Sequence, residues 1–273
     1  MRRAVLLAFV LAARPALGDE AALIAFMGGQ GCTIGADSRT AAAAAGHDAA
    51  AVDALAAAAL ADGRGKQEGA YVVLNEATCT IRLPDITSPY TVNSPEIVAI
   101  TSAIDAYAPE GEPGCFIENL VDDFAALNGG DLDAGLRDFL AFTASGIIAG
   151  DLRFYSPSPL RTPISWQVVT GACAELQDID AIRRSHAFIA SGFGSYIRLL
   201  ASETACPDGW NPRTMRFAAE IQGTDPAIPT EDQPEINAWL GFEYDLIAFA
   251  AGWHEDMTAT SPGTPRPPLC HYP

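Results

Sequence analysis

Lysine is almost missing from this chain of 273 residues. Lys66 is the only one, and lysine and arginine together number 16 against 34 aspartates and glutamates, a formal charge of −18. Such a surface repels phosphate backbones and anionic membranes, so nucleic acid is not an expected partner. Standard catalytic and nucleotide motifs are missing too: there is no GxSxG, no HExxH and no GxxxxGK[ST]. None of the cysteines lies in a CxxC, which argues against a zinc ribbon or a thioredoxin-like redox pair. After residue 18 no apolar run approaches the roughly 20 residues a membrane helix needs. Apolar runs such as Ala54 to Ala61 and Leu246 to Ala251 suit buried helices, and no stable membrane insertion is expected of the mature chain. The scarcity of lysine and the abundance of alanine read as genome composition rather than as function.

What is present begins with an export signal. Met1-Arg2-Arg3 supplies a basic start, Ala4 to Ala13 an apolar stretch too short to span a bilayer, and Ala16-Leu17-Gly18 a small-x-small cleavage site before the acidic Asp19-Glu20. Residues 1–18 are therefore expected to be a signal peptide cleaved after Gly18, and the mature chain to work in a periplasm or as a secreted protein. Cleavage removes Arg2, Arg3 and Arg14, leaving 13 basic against 34 acidic residues, or −21. In that compartment the six cysteines Cys32, Cys79, Cys115, Cys173, Cys206 and Cys270 read as three disulfides.

Residues 19–86 form a first unit. Ala21 to Met27 is a helix stopped by Gly28-Gly29, a second runs from Asp37 to Ala45, and Gly46-His47-Asp48 leads into a third from Ala49 to Ala61. Two strand-like runs follow, Ala70 to Leu74 and Thr78 to Leu83. The second alternates, with Cys79, Ile81 and Leu83 on one face and Thr78, Thr80 and Arg82 on the other. Cys79 thus points inward, and Cys32, at the entry to the second helix, is its natural partner. Three helices followed by a β-hairpin resemble the winged-helix arrangement. That resemblance implies DNA binding in other settings, but charge turns it aside: Arg39, Arg64, Lys66 and Arg82 face nine acids within 19–86, and the third helix carries no base-reading side chain. The unit reads as a structural or protein-docking module.

Pro84, Pro89 and neighbouring Ser and Thr mark 87–94 as a linker. Residues 95–260 read as a larger, mainly helical domain: Pro95 to Tyr107, Phe116 to Leu127, Asp131 to Gly146, Gln167 to Glu175, Asp178 to Glu203, Arg213 to Ile221 and Pro234 to Asp256, with an extended piece at Leu152 to Tyr155. Residues 261–273 form a proline-rich tail, which Cys270 would pin to the body. The overall fold class is mainly α (α+β), braced by disulfides. Cys115 is expected to pair with Cys173 and Cys206 with Cys270, since a Cys173 to Cys206 bridge would have to span the long helix between them.

Candidate chemistry is sparse. Asp131-x-Asp133 has Leu136 and Phe142 where a calcium loop needs glycine and glutamate, and Asp178-x-Asp180 has Ile182 at a ligand position, so both read as helix N-terminal carboxylates. Gly192-Phe193-Gly194 lies within a helix and reads as a close contact or kink. Asp122-Asp123 falls opposite the Leu120, Phe124, Leu127 stripe, on a solvated face. His186, Glu243 and His254 stand out because each falls on an apolar helix face, where burial perturbs titration. Glu243 and His254 are 11 residues apart, about 16 Å along a helix, too far to share one metal.

These features point to a non-catalytic helical scaffold or protein-binding module of the cell envelope, with an unknown envelope or secreted protein as partner and no cofactor. The alternative is a periplasmic hydrolase or metal-dependent enzyme built on a buried His/Glu site drawn from His186, Glu243 and His254. The leader makes a direct prediction: intact-mass analysis of the exported protein should find an N-terminus at Asp19. A chain recovered with Met1 in place would overturn the cleaved-signal reading.

Overall fold

A computed structural model describes residues 17–101, 114–117, 120–155, 165–175, 179–203, 240–253, 266 and 272. The protein is helix-rich, with two small antiparallel sheets and two disulfides among the described residues. No helix of the described residues is long and apolar enough to cross a membrane.

The N-terminal part runs α1 (Leu17–Gly29), β1 (Thr33–Ile34), α2 (Ala36–Ala44), α3 (Ala49–Ala61), β2 (Gly65–Glu68) and β3 (Tyr71–Leu74). Alanine loses no side-chain entropy in a helix, and the local caps decide where the helices start. Ser38 Oγ accepts from the Gly35 N–H at 2.7 Å at the head of α2, and the Asp48 carboxylate accepts from the Ala50 N–H at 3.1 Å at the head of α3. Val52, Leu55, Ala56 and Ala59 form the buried face of α3. Gly63, at φ +69°, then takes the left-handed turn that leads into β2.

The sheet order is β1-β3-β2, with apolar β3 in the middle. The hairpin therefore forms with the segment before Tyr71–Leu74, not with Thr78 to Leu83 as the alternation suggests. Gly65–Glu68 pairs antiparallel with Tyr71–Leu74, Lys66 opposite Val73 and Gln67 opposite Val72. Residues 78–83 carry no strand ladder. Their alternation has another origin: Cys79 and Ile81 are buried against the body while Arg82 faces solvent.

In the second part α4 (Pro95–Ile100) stops where Thr101 turns extended, short of the Tyr107 end expected, and residues 102–107 lie outside the described region. Two more readings need correction. Phe116–Ile117 is β4 and precedes α5 (Leu120–Leu127), and Ser165–Val168 is β6, followed by a 3-10 turn at Gly171–Glu175. Both were expected as helix beginnings. With β5 (Leu152–Tyr155) they form a sheet of order β4-β6-β5. The Asp131 carboxylate accepts from the Asp133 and Ala134 N–H groups, both at 3.0 Å, and so caps α6 (Leu132–Ala149), as its position in the sequence suggests. The long α7 (Ile179–Glu203) and α8 (Leu240–Ala250) complete the described helices; Gly252, at φ +84°, turns the chain so that Trp253 lies off the helix. The helix expected at Arg213 to Ile221 lies outside the described residues.

Cys32 is bonded to Cys79 and Cys115 to Cys173, with Cα separations of 5.7 and 5.8 Å. Cys206 and Cys270 lie outside the described residues. One buried cluster joins both parts, running from Leu23, Met27 and Val73 to Phe193, Ile197 and Trp253. The Cys32–Cys79 bridge closes a loop of 47 residues, and its loss releases that loop in the unfolded chain. Cys32→Ala with Cys79→Ala should lower the unfolding free energy by about 2–5 kcal/mol in urea titration. A loss under about 1 kcal/mol would show that the bridge does not brace the fold.

Candidate functional site

The segment after β3 and the outer side of α7 face each other across a cleft of about 490 Å³. It is lined by Glu76, Thr80, Ile81, Arg82 and Leu83 on one side and Ala190, Ser191, Gly194, Ser195 and Arg198 on the other. The sequence of α7 explains this geometry. Ile189, Phe193, Tyr196, Ile197 and Leu200 are buried, which leaves the small and hydroxylated residues on the opposite flank. Gly194 lets the helix approach the Ile81 carbonyl, where a Cβ would collide, and Gly192 does the same toward the Tyr244 hydroxyl. The Gly192-Phe193-Gly194 run is thus a close contact made twice, as read from the sequence.

Arg198 ties the two sides together. Its Nη2 donates to the carbonyls of Leu74 at 3.3 Å and Cys79 at 3.4 Å. Partial burial lowers its pKa, opposed by the charges of Glu76 and Tyr272. Arg82 sits exposed on the facing segment, whose path is fixed by a bond from the Arg82 N–H to the Gly28 carbonyl at 3.0 Å. Among the described residues, two guanidiniums, three hydroxyls and one carboxylate thus line a cleft open to solvent, an arrangement suited to holding a polar ligand.

A second polar centre lies inside the protein. On α8, Asp245 is 3 % exposed, and its Oδ1 accepts from the Tyr196 hydroxyl at 2.8 Å, while Oδ2 has no hydrogen-bond partner among the described residues. Burial pushes the Asp245 carboxyl up to about 7, partly offset by the Tyr196 hydrogen bond, and burial together with Asp245 drives the Tyr196 phenol well above its usual range. A third group closes the C-terminal end. Arg266 stacks on the Trp253 ring at 4.6 Å and donates to the carbonyls of Ala251 and Gly29, while Trp253 Nε1 donates to the Tyr272 hydroxyl at 2.7 Å. Burial lowers Arg266 to about 10 and raises Tyr272 to about 12.

Of the three residues singled out by pattern, Glu243 is buried on α8 at 2 % exposure, as its place on the wheel suggests. His186 belongs to α7, but its side chain lies outside the described residues, as does the whole of His254. Among the described residues no group of three His, Cys, Asp or Glu side chains could hold a metal. Asp122 is exposed and Asp123 half-buried, in keeping with a solvated face. Sequence reasoning missed Asp245 and the meeting of Arg82 with Arg198. For Asp245 the signal existed, because Leu240–Ala250 is apolar on nearly every side, and an acid in such a helix is buried with it.

No family model matches the chain, and neither a curated protein nor a solved structure does.

The Asp245 carboxyl generates a pH prediction. The folded chain keeps this proton up to about pH 7, whereas an ordinary carboxyl releases it near 3.8. Its contribution to stability is therefore full below about pH 4 and is lost as pH rises through about 7. Asp245→Asn keeps an acceptor for Tyr196 and removes the ionisation. The variant should melt higher than the native chain at pH 8, with the gap narrowing as pH falls and closing below about pH 4, by calorimetry. A variant that melts lower at pH 8 would refute the protonated, buried state.

Proposed function

We propose that this chain is an exported, non-catalytic protein-binding module of the cell envelope, and that the cleft between residues 76–83 and α7 is where its partner docks. The observation that carries the reading is that Arg82 and Arg198 both line that cleft, on a chain with a net charge of −18. Elsewhere in residues 19–86 each cation is matched with an acid: Arg39 with Asp53, Arg64 with Glu20 and Asp62, and Lys66 with Glu68. Arg82 and Arg198 make no ion pair among the described residues, so they remain available to an outside ligand.

Export is supported by the basic-apolar-small leader and by two disulfides, which persist in oxidising compartments. The order α1-β1-α2-α3-β2-β3, with β1 added to the hairpin, supports reading the first unit as winged-helix-like. The acidity of that unit favours a protein over a nucleic acid as its partner. The hydrolase or metal-enzyme alternative rests, among the described residues, on the burial of Glu243 alone.

Replacing Ser195, exposed at the cleft wall, by a photo-crosslinking residue tests the docking site in the native envelope. The expected result is one dominant crosslinked protein, absent when the probe is placed at exposed Arg137 instead. Equal capture from both positions, or none from either, would overturn the reading.

A further inference from the structure

We propose that the cleft recognises a carboxylate presented by a peptide, gripped by Arg82 and Arg198, with Glu76 taking an amine or amide N–H beside it. This assignment rests on the docking reading above and names the chemistry of the docked segment.

The lining residues carry it. A guanidinium presents its N–H groups in a flat fork that matches the two oxygens of a carboxylate, and such pairs are stronger than neutral hydrogen bonds. Among the described residues Arg198 commits only Nη2, to the Leu74 and Cys79 carbonyls, and those two bonds hold its head at the cleft wall. The fork is therefore preorganised by the fold, and little side-chain entropy is left to lose when a ligand arrives. Arg82 faces it from a segment whose backbone is fixed to Gly28. Thr80 and Ser195 add hydroxyls that both donate and accept, as a peptide backbone requires.

Charge selects among anions. A phosphate or a polyanionic chain would meet the repulsion of the whole molecule at −18. A zwitterionic or locally balanced peptide would not, because its carboxylate meets the arginines while its N–H or ammonium meets Glu76, the one acid among the described residues lining the cleft. A volume of about 490 Å³ lies within the usual range for small-ligand sites, which suits a few residues of extended chain.

Triglycine, triglycine amide, N-acetyl-triglycine and acetate, each titrated into the full mature chain by calorimetry, test the assignment. Triglycine should bind saturably, and the amide, which lacks the carboxylate, about tenfold or more weaker. Arg82→Gln should weaken triglycine by a similar factor, while Arg137→Gln, on exposed α6 surface, should leave it unchanged. No saturable triglycine binding, equal affinity for the amide, or full affinity in a folded Arg82→Gln chain would overturn the proposal. Acetate binding as tightly as triglycine would overturn the peptide part, and indifference to N-acetylation the part given to Glu76. If Arg82→Gln fails to fold, the acid-against-amide comparison on the native chain decides. A chain that crosslinks a partner through Ser195 yet ignores triglycine keeps the docking reading and loses this one.

Discussion

The Cys32–Cys79 bridge is the constraint from which the cleft hangs. Residues 78–83 have no strand ladder to hold them, so their course is set by a few fixed points. The bridge anchors Cys79 to the turn after α1, the Arg82 N–H reaches the Gly28 carbonyl, and Arg198 binds the Cys79 carbonyl from the other side. Cys32 itself stands at φ +59°, a left-handed conformation that costs a non-glycine residue about 1 kcal/mol or more. It is held there from several directions at once: its N–H donates to the Met27 carbonyl at 2.7 Å, its carbonyl accepts from the Leu74 N–H at 2.8 Å, and its sulfur is bonded. One covalent link thereby joins the end of α1, the central strand β3 and the near wall of the cleft.

The far wall depends on a different balance. α7 must present small residues to the 78–83 segment and large ones to α8, and the second contact includes a polar pair. Phe193 packs on Tyr244 and Trp253, and Tyr196 lies 4.8 Å from Tyr244 between ring centroids while its hydroxyl engages Asp245. A carboxyl in that setting is tolerated because it keeps its proton, and the Tyr196 bond recovers part of what burial takes away. The described tail residues complete the connection, with Arg266 reaching back to Gly29 and Tyr272 to Trp253. The first unit and the C-terminal residues therefore share one interior, with α7 packed between the cleft and α8.

Features with a local or covalent cause were legible in the sequence. The Asp131 and Asp48 caps, the close contacts at Gly192 and Gly194, and the inward face of Cys79 each follow from a few adjacent residues. Cys115 with Cys173 followed from the length of the helix between Cys173 and Cys206. Of the short strands, Tyr71–Leu74 and Leu152–Tyr155 were legible from their apolar runs, and the others were not. Gly65-Lys66-Gln67-Glu68 is polar throughout because it is an edge strand with one neighbour, so no apolar period marks it. Phe116–Ile117 has only two paired residues, and Ser165–Val168 four, too few to separate a period of 2 from one of 3.6. The alternation at 78–83 misled for the converse reason: it records which side faces the core, and an extended chain bonded to a helix end produces the same pattern as a strand. Arg82 and Arg198 are 116 positions apart, and only the folding of α7 onto the segment brings them to one cleft.

The electrostatics of that cleft follow from two length scales. At physiological ionic strength charges are screened over about 8 Å, so most of the acidic surface acts on a ligand only as a diffuse repulsion. Within the cleft the distances are those of contact, and Arg198, half-withdrawn from water, interacts more strongly than a freely solvated cation would. For the proposed ligand, local attraction and global repulsion would select different properties. The first favours a carboxylate, and the second disfavours net negative charge, so a segment carrying an acid beside a compensating donor satisfies both. Glu76, which lines the same cleft as the two arginines, would apply that selection at short range as well, since a carboxylate there opposes a second anion.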